Sequence, residues 1–577
     1  MGLETGTGRR TLYALTFVVA LCSFAYELVY SELLTVVYGG TVTQYGLTVG
    51  LFFFSLGVGS FLARTLDHDR PSNFFRTELL LAVVAPAGVL YILALGTVVP
   101  PQWLPPSALE WAARLPVVLV GLLSGFELPL LTALVADTAS DGDGLVSTVG
   151  RRLSGAVYGL VGLVFSVSTD GNDVDSYSLV LGMDYLGGLA GSLVYVFVLY
   201  PRVGLLATVF VLGLLNGLAA LAFAAGFGGF SRERSPGRSL RPTLVAVCLV
   251  VALVYGGLAA NYRTVDEELT SAYMEATIEA EYPGGNVDAT VTDVQTTQYQ
   301  RVTEYTRTWT GDRENPYFEG DTERCLRLDT AVQLCDSWAR PYHHGLADVP
   351  MTLFENGSET DVLVVGGGDF VAVDHLREYG VDVDLVDIDG EFMSMARDSE
   401  WLAQYHDHAY RYDRLNVSVG DAYDYLTDSD ERYDLILLDL PGATDDDLLG
   451  LYSVQFYEQL RRHLTDGGLV GTWTYSQAAY GDHHAAYANT VRAAGFTHAL
   501  EYWAHGDIDG DDRTERVERF KLFSPEATPS LDPAEGGAYV DRYGSDYADA
   551  QWEPITRHRG AAVNGRFDPN YDILIDT

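Results

Sequence analysis

Six residues in the C-terminal half have types and spacing suited to binding a nucleoside. Each follows or ends a short apolar run: Gly366, Gly367 and Gly368 after the first run, then Asp387, Asp421 and Asp439 at the next three. Glycines let a backbone approach a ligand closely, and a carboxylate at a strand end accepts hydrogen bonds from ribose hydroxyls. The pattern therefore predicts a nucleoside site.

The elements that must position these residues alternate between strand and helix. Apolar periodicity predicts strands at 361–366, 382–387, 415–419, 434–439 and 468–475, with helices at 370–379, 390–403 and 450–464. Such alternation predicts a parallel sheet covered by helices, an α/β Rossmann-like fold of the class I methyltransferase type. Because ligands bind at the carboxyl ends of parallel strands, the glycines and acids should meet at one edge.

The ligand should carry a cationic arm rather than a pyrophosphate. The chain has no GxxxxGK[ST] motif, and Asp369 after the glycines would repel phosphate. S-adenosylmethionine and its decarboxylated form both fit as co-substrates, since each is a nucleoside with a sulfonium. Cysteine and histidine spacing supports no metal site.

The N-terminal half is predicted to span a membrane. Seven apolar runs approach or exceed the length needed to cross ~30 Å of hydrocarbon; they are 11–31, 42–63, 78–99, 115–136, 184–200, 204–229 and 242–260. The Gly/Ser-rich stretch 151–168 is left open as an eighth. Glu27, Glu127 and Asp184 fall inside the runs, where ionisable groups are costly and often functional.

Arginine placement predicts an N-terminus in the cytoplasm, because arginines cluster before the first run and in alternate connections. Seven spans would put residues 261–577 outside the cell, and eight would return them to the cytoplasm. We favour the cytoplasm because adenosyl donors are made there, while the extracytoplasmic arrangement stays open.

Composition indicates a protein adapted to concentrated salt. The chain has 78 acids and 36 bases, a net charge of −42, and Lys521 as its single lysine. An acid-rich surface stays hydrated where salt screens charge repulsion. The same charge argues against nucleic-acid partners, which require a basic face.

The domain boundaries follow from shifts in composition. We predict a transmembrane domain (1–260), a linker (261–290), a small β subdomain (291–350), the Rossmann-like domain (355–525) and an acidic tail (526–577). Within the β subdomain, "CLRLDTAVQLCD" predicts a hairpin turning near Asp329 and Thr330. Cys325 and Cys335 flank this turn, and a disulfide between them is left open.

The motifs "TQYQ", "LRLDTAVQLCD", "PYHH", "VLVVGGGD", "VDLVDID", "VSVGDAYDYL" and "YDLILLDLP", in this order, resemble the polyamine aminopropyltransferases, or spermidine synthases. The resemblance covers roughly residues 291–500, and the apolar half resembles the membrane-bound members. It implies transfer of an aminopropyl group from decarboxylated S-adenosylmethionine to an amine, with release of methylthioadenosine. It also implies a homodimer.

Residue roles on the donor side follow from the resemblance. It implies that Gln300 and Asp387 hold the nucleoside. It places Asp421 and Ala422 at the adenine. The three glycines of the loop pass close to the donor.

On the acceptor side, the resemblance implies that Tyr342, His343 and Asp369 line the pocket for the amine and the aminopropyl group. Asp439 becomes the general base that takes a proton from the attacking amine, because an ammonium is not a nucleophile.

Three positions depart from the family pattern. Phe370 replaces the last glycine of GGGDG, Gly442 replaces a second acid, and His344 replaces a glutamate. Fewer acids and one more aromatic ring predict a less cationic acceptor. The alternatives are transfer to a lipid or lipoprotein, or a non-catalytic sensor or transport partner, which the acids in the apolar runs motivate.

Overall fold

The computed structural model describes residues 5–98, 106–137, 176–227, 242–506, 516–526 and 550–575, apart from the positions 283, 314, 319, 330, 355, 356 and 445. The chain divides into two compact units, Met1–Tyr273 and Met274–Thr577. The stretch 151–168, the candidate eighth span, lies outside the described residues.

The N-terminal unit is helical. Its helices are α1 (Thr5–Tyr38), α2 (Thr41–Leu62), α3 (Arg70–Val98), α4 (Pro106–Ala113), α5 (Leu115–Asp137), α6 (Ser176–Val194), α7 (Leu205–Phe227) and α8 (Pro242–Ala260), followed by α9 (Tyr262–Ala280). Within the described ranges, seven helical stretches are long and apolar enough to cross a membrane. They coincide with the seven predicted runs.

Helix α1 is central to this unit and packs against α2, α3, α5, α6 and α7. Its approach to α6 depends on small residues of the "LGGLAG" run. A Cβ on Gly187 would lie 2.3 Å from the carbonyl oxygen of Phe17, and one on Gly191 would lie 2.3 Å from that of Leu21. Both glycines therefore allow close contact between the two helices, as small residues do at membrane-helix interfaces.

A buried polar network joins four of these helices. Glu78 accepts a hydrogen bond from Asn216 Nδ2 (2.8 Å), and Asn216 Oδ1 accepts one from the Tyr26 hydroxyl (3.0 Å). Glu127 accepts one from the Ser23 hydroxyl (3.0 Å). Glu127 could be singled out from its apolar run in the sequence. The packing of the helices is what places Glu78 beside it.

The C-terminal unit begins with a four-stranded antiparallel sheet in the order β1-β2-β3-β4. The strands are β1 (Val287–Thr296), β2 (Arg301–Trp309), β3 (Thr322–Leu328) and β4 (Ala331–Cys335). The predicted hairpin is confirmed as β3–β4. Cys325 lies directly opposite Cys335 in this pair, and the two form a disulfide with a Cα–Cα distance of 4.1 Å.

An eight-stranded mixed sheet follows, in the order β12-β10-β11-β9-β8-β5-β6-β7. Its strands are β5 (Asp361–Gly366), β6 (Asp382–Asp387), β7 (Leu415–Val419), β8 (Tyr433–Asp439), β9 (Leu464–Trp473), β10 (His498–Gly506), β11 (Arg516–Ser524) and β12 (Trp552–Pro554). Strands β5 to β9 pair in parallel, and β10, β11 and β12 are antiparallel. The predicted Rossmann-like architecture is confirmed.

Short helices precede and connect the strands. They are α10 (Ala339–His343), α11 (Val371–Arg377), α12 (Gly390–Asp398), α13 (Ala422–Asp428), α14 (Val454–Arg462) and α15 (Gly481–Ala493). Further single turns lie at Val349–Met351 and Ala403–His406.

The central strands are apolar on both faces because helices cover both sides of the sheet. In β5, Val362 and Val364 belong to one core cluster, whereas Leu363 and Val365 belong to the other. The apolar side chains of β8 alternate between the same two clusters. This burial fixes the register of the strands, and with it the position of every residue at their carboxyl ends.

Two segments differ from the predicted boundaries. The predicted linker 261–290 contains α9 and the start of β1 rather than irregular chain. Within the predicted acidic tail, residues 550–575 pack onto the sheet: β12 pairs with β10, and Ile555 and Ile573 are buried. Apolar residues spaced among the acids explain the difference, since their burial offsets the cost of ordering the chain.

Candidate functional site

The glycine loop and Asp439 meet at the carboxyl edge of the sheet. Gly366 ends β5 directly beside Asp439 at the end of β8. Gly366 and Gly367 have φ values of 82° and 70°, and a Cβ on Gly366 would lie 2.0 Å from the Asp439 carbonyl oxygen. Only glycine fits at position 366, because a side chain there would collide with the backbone of Asp439. The loop backbone at this edge is therefore not covered by side chains, and a ligand can approach it closely.

Asp387 lies at the end of the neighbouring strand, β6. Its Oδ2 accepts a hydrogen bond from Gly368 N–H (3.0 Å), and its Oδ1 accepts one from Asp389 N–H (2.8 Å). Burial, aided by the charges of Asp389 and Asp439, raises the pKa of Asp387 to about 6 despite these two bonds. A ligand hydroxyl that donates to this carboxylate would favour its ionised form.

Asp389 is a member of this site that the motif reading did not single out. Its Oδ2 accepts hydrogen bonds from the Thr297 hydroxyl (2.6 Å) and from Gln300 Nε2 (3.0 Å). Its Oδ1 accepts from Phe392 N–H (2.9 Å) and caps α12. Gln300 therefore contacts Asp389. The signal in the sequence was the second acid of "VDIDG".

Asp421 lies one strand further along the same edge. Its exposed carboxylate caps α13 and accepts hydrogen bonds from the backbone N–H groups of Tyr423 (2.7 Å) and Asp424 (3.1 Å). Ala422 is buried behind it. Gly420 N–H donates to the Asp387 carbonyl (2.9 Å), which holds this loop against the end of β6.

Tyr342, His343, Asp369 and Asp439 form one cluster, although they come from three separate segments. The Tyr342 hydroxyl donates to Asp439 Oδ1 (3.1 Å). His343 Nε2 lies 3.7 Å from Asp439 Oδ2 and 4.0 Å from Asp369 Oδ2. His343 Nε2 and Asp439 Oδ2 are buried without a hydrogen-bond partner in the described chain. One oxygen of the Asp439 carboxylate is therefore an acceptor that no described group uses.

His343 carries a positive charge at neutral pH. Burial by itself lowers its pKa, but the nearby carboxylates of Asp439 and Asp369 outweigh burial and raise the pKa to about 9. Its Nδ1–H donates to the Ala339 carbonyl (2.7 Å), which fixes the ring. The imidazolium thus compensates part of the charge of two neighbouring carboxylates.

His344 points away from this cluster. It hydrogen-bonds through Nδ1 to Asp348, which also accepts from His375 Nδ1 (2.9 Å) and the Tyr379 hydroxyl (3.1 Å). These bonds from the two imidazoles, against the opposing effect of burial, hold the pKa of Asp348 well below its usual range. The network braces α10 against α11 behind the cluster, with the His375 ring stacked 6.0 Å from that of His343.

Among the described residues, and leaving aside Glu323 beside the Cys325–Cys335 disulfide, two sets of side chains bring three potential metal ligands within 4.8 Å of one another: His343, Asp369 and Asp439, and His344, Asp348 and His375. Sequence spacing predicted no metal site. Each set gathers residues from distant segments, so spacing could not reveal it. In the second set both imidazoles already bond the Asp348 carboxylate.

Phe370 does not line the acceptor pocket, and the prediction that its ring alters this pocket is wrong. The residue adopts φ 63° and its side chain is completely buried in the core. Its ring lies 5.8 Å from that of Tyr410, with the Arg397 guanidinium 5.1 Å away. The left-handed backbone turns the side chain towards the core, so its bulk does not reach the ligand side.

Tyr475 occupies the space beside Gly442, where the family pattern has a second acid. A Cβ on Gly442 would lie 1.7 Å from the Tyr475 hydroxyl oxygen. The Tyr475 ring packs 4.4 Å from that of Trp473 at the end of β9. A residue with a side chain fits at position 442 only if Tyr475 moves. Tyr475 therefore occupies the space that the second acid of the family pattern would need.

A glycine loop and acids at the carboxyl edge of a parallel sheet are the arrangement by which Rossmann-like domains bind nucleosides. Residues 339–502 match the Spermine/spermidine synthase domain family. The resemblance read from the motifs is thereby confirmed: the chain is spermidine synthase-like, and its enzyme class is that of the transferases.

Similar curated proteins extend over most of the chain. Polyamine aminopropyltransferase 1 of Streptomyces coelicolor is 29% identical over 85% of this chain and 81% of its own length. Polyamine aminopropyltransferase 2 of Ralstonia nicotianae is 28% identical over 80% and 78%. The similarity therefore reaches beyond the catalytic domain into the helical unit.

Among solved structures, spermidine synthase from Thermotoga maritima is 18% identical, with a TM-score of 0.32 over 46% of this chain and 80% of that one. A probable spermidine synthase from Corynebacterium glutamicum is 14% identical, with a TM-score of 0.33 over 47% and 95%.

Proposed function

We propose that the protein transfers the aminopropyl group of decarboxylated S-adenosylmethionine to an amine and releases methylthioadenosine. The observation that carries this proposal is the buried Asp439 Oδ2, which has no hydrogen-bond partner among the described residues and lies beside Tyr342, His343 and Asp369. The similarity to polyamine aminopropyltransferases supports the same reaction.

The nucleoside would lie along the carboxyl edge. Asp387 would accept hydrogen bonds from the ribose hydroxyls. Asp389, which accepts a hydrogen bond from Gln300 and donates one to Asp387, would keep the loop after β6 in place. Asp421 and Ala422 would flank the adenine. The glycines at 366–368 would let the donor pass close to the backbone.

The acceptor amine would approach between Asp369 and Asp439. Asp439 takes a proton from the bound ammonium, which frees the nitrogen lone pair. The nitrogen then attacks the aminopropyl carbon bonded to sulfur, a C–N bond forms, and the C–S bond breaks with its electron pair on sulfur. The sulfonium becomes the thioether of methylthioadenosine, and the proton passes from Asp439 to solvent. Positioning supplies most of the acceleration.

We further propose that the helical unit anchors the enzyme in a membrane and that the catalytic unit faces the cytoplasm, where the donor is made. Seven stretches of suitable length and hydropathy support the anchor. Transfer to a lipid or lipoprotein rested on the apolar ring of Phe370 and on the acid missing at Gly442. The first of these two arguments fails, because Phe370 is buried in the core.

A second candidate function, movement of a substrate by the helical unit, is supported by the buried carboxylates Glu78 and Glu127. Ionisable groups in such surroundings often mark a pathway. Glu127→Gln would then change amine uptake or export by cells but leave methylthioadenosine release by the purified protein unaltered. Unchanged transport in the variant would remove this candidate.

The proposed reaction is tested by supplying purified full-length protein with decarboxylated S-adenosylmethionine and a panel of amines that includes putrescine and agmatine. We expect release of methylthioadenosine with at least one amine. Asp439→Asn should lower the rate by about 100-fold or more, since general bases contribute 10²–10⁴-fold. Its affinity for methylthioadenosine should persist. No release with any amine would refute the proposal.

A further inference from the structure

A group of basic residues lies within the segment that composition predicts to be an acidic tail. Arg557, His558 and Arg559 follow β12, in a chain with 78 acids and 36 bases. Together with Asn489 and Arg492 of α15 they line a cleft of about 800 Å³, which we call the arginine cleft. Within the described part of the chain, no Asp or Glu lines it. A lining without acids is unexpected for this composition and indicates an anionic ligand.

The arginine cleft lies at the amino edge of the sheet, where the parallel strands begin. Strand β9 is parallel to β8, and β10 runs in the same direction as β9 because both are antiparallel to β11. Helix α15 leads from the end of β9 to the start of β10, so Asn489 and Arg492 near its end lie at the amino edge. Pro554, the last residue of β12, pairs with His498 at the start of β10. The cleft is therefore at the opposite edge from the glycine loop.

Hydrogen bonds to α15 hold the loop that carries the basic residues. The Asn489 side chain is buried, and its Nδ2 donates to the carbonyls of His558 (2.8 Å) and Ala561 (2.9 Å). Its Oδ1 accepts a hydrogen bond from His558 N–H (2.9 Å). Arg492 Nη1 donates to the carbonyl of the buried Ile555 (3.1 Å). A ligand therefore meets a loop that is already ordered, which lowers the entropic cost of binding.

The guanidinium groups of Arg557 and Arg559 are accessible to a ligand. Both side chains are exposed, and neither forms an ion pair with an acid in the described chain. A guanidinium has N–H donors and no acceptor, and its planar fork matches two oxygens of a phosphate group. Such bidentate, charge-assisted hydrogen bonds are stronger than those between neutral groups. The chemistry of the cleft therefore favours phosphate oxygens.

The size of the cleft and the charge of the whole chain restrict the ligand to a compact anion. Pockets for small molecules occupy roughly 300–1,000 Å³, and the arginine cleft falls within this range. A long nucleic acid would extend beyond the cleft onto a chain with a net charge of −42, which repels it. A small phosphate compound can make its contacts within the cleft and avoids that repulsion.

We propose that the arginine cleft binds a compact phosphate-bearing anion, with Arg557 and Arg559 as its principal contacts. The site is separate from the proposed aminopropyl transfer, because the two lie at opposite edges of the sheet. A soluble polyphosphate and the phosphodiester of a lipid headgroup present the same kind of oxygen to these arginines. The test distinguishes these two sources.

The test titrates inorganic triphosphate, and separately glycerophosphoglycerol as the headgroup of a phospholipid, into the purified full-length protein in a calorimeter. We expect saturable binding of at least one compound. Arg557→Gln and Arg559→Gln should each weaken that binding by about tenfold or more, the loss expected for a charge-assisted hydrogen bond. Their Tm should equal that of the wild type, because both side chains are exposed. Tighter binding of triphosphate indicates a soluble ligand, and tighter binding of glycerophosphoglycerol indicates a lipid headgroup.

The matched control is Arg566→Gln, which removes the same charge from the same C-terminal segment. The Arg566 guanidinium lies 4.0 Å from the centre of the Tyr423 ring, and the residue does not line the arginine cleft. Its variant should keep the wild-type affinity. Equal weakening by all three substitutions would show a general attraction of charge and overturn the proposal. Binding of neither compound, or displacement of the bound anion by methylthioadenosine, would overturn it as well.

Discussion

At the scale of single residues, the cluster of Tyr342, His343, Asp369 and Asp439 contains a charge balance between one imidazole and two carboxylates. The two carboxylates lie within 4.0 Å of the His343 Nε2. A positive charge on His343 offsets part of the negative charge of these two carboxylates. His343, which the motifs predict to line the pocket, thus also places a compensating charge beside Asp439, the proposed general base.

The raised pKa of His343 predicts a specific dependence of stability on pH. Its folded pKa is about 9, against 6.5 in a free side chain. The stabilisation is therefore complete below pH 6.5 and is lost as the pH rises through 9. We expect His343→Gln to lower the Tm most at pH 6 and least at pH 10, as measured by thermal unfolding of the full-length protein. A Tm difference that is the same at both pH values would show that His343 is not charged in the folded state.

At the scale of elements, the site is built by strand ends that adjacent pairing brings together. Gly366 and Asp439 are in register on β5 and β8. The strand pairing, rather than any contact between side chains, carries Asp439 to the glycine loop. The glycine loop and the carboxyl ends of β5 and β8 therefore form one structural unit.

Gly366→Ala tests this unit. The added methyl group would lie 2.0 Å from the Asp439 carbonyl oxygen, and the backbone has φ 82°. We expect loss of methylthioadenosine binding and a fall in Tm of several degrees. Gly380→Ala is the matched control: its φ is 70°, but no atom lies within 4 Å of the added carbon. It should cost only about 1 kcal/mol of backbone strain and retain ligand binding. Equal effects of the two substitutions would contradict a steric role for Gly366.

At the scale of the whole molecule, the proposed membrane anchor raises the question of which side of the membrane the C-terminal unit faces. Donor supply supports the cytoplasm. The disulfide between Cys325 and Cys335 supports the exterior, because disulfides persist in oxidising compartments. The odd number of candidate spans among the described residues supports the exterior as well.

Single cysteines at Ser358 and Ser235 would separate these arrangements. With the catalytic unit in the cytoplasm, as we propose, an impermeant thiol reagent applied to intact cells should leave position 358 unlabelled until the cells are opened. Labelling of position 358 in intact cells, with position 235 protected, would place the unit outside and restore the lipid- or lipoprotein-directed reaction. The native thiols Cys22 and Cys248 are buried and give a low background.

The sequence by itself determined the strand order along the chain and the acids at the strand ends. Runs such as "VLVV" and "LILL" are buried on both faces, so their apolar pattern fixes where each strand ends. Asp387 and Asp439 follow from that alone. The seven long apolar helices were determined in the same way, because hydropathy and length are properties of contiguous sequence.

Only the tertiary structure decided which distant side chains meet. Tyr342 and Asp439 are 97 residues apart, yet they share a hydrogen bond. Phe370 lies beside Asp369 in sequence but turns into the core, because its left-handed backbone reverses the direction of the side chain. The direction of a side chain and its contacts with distant segments depend on tertiary packing. Local sequence patterns do not specify that packing.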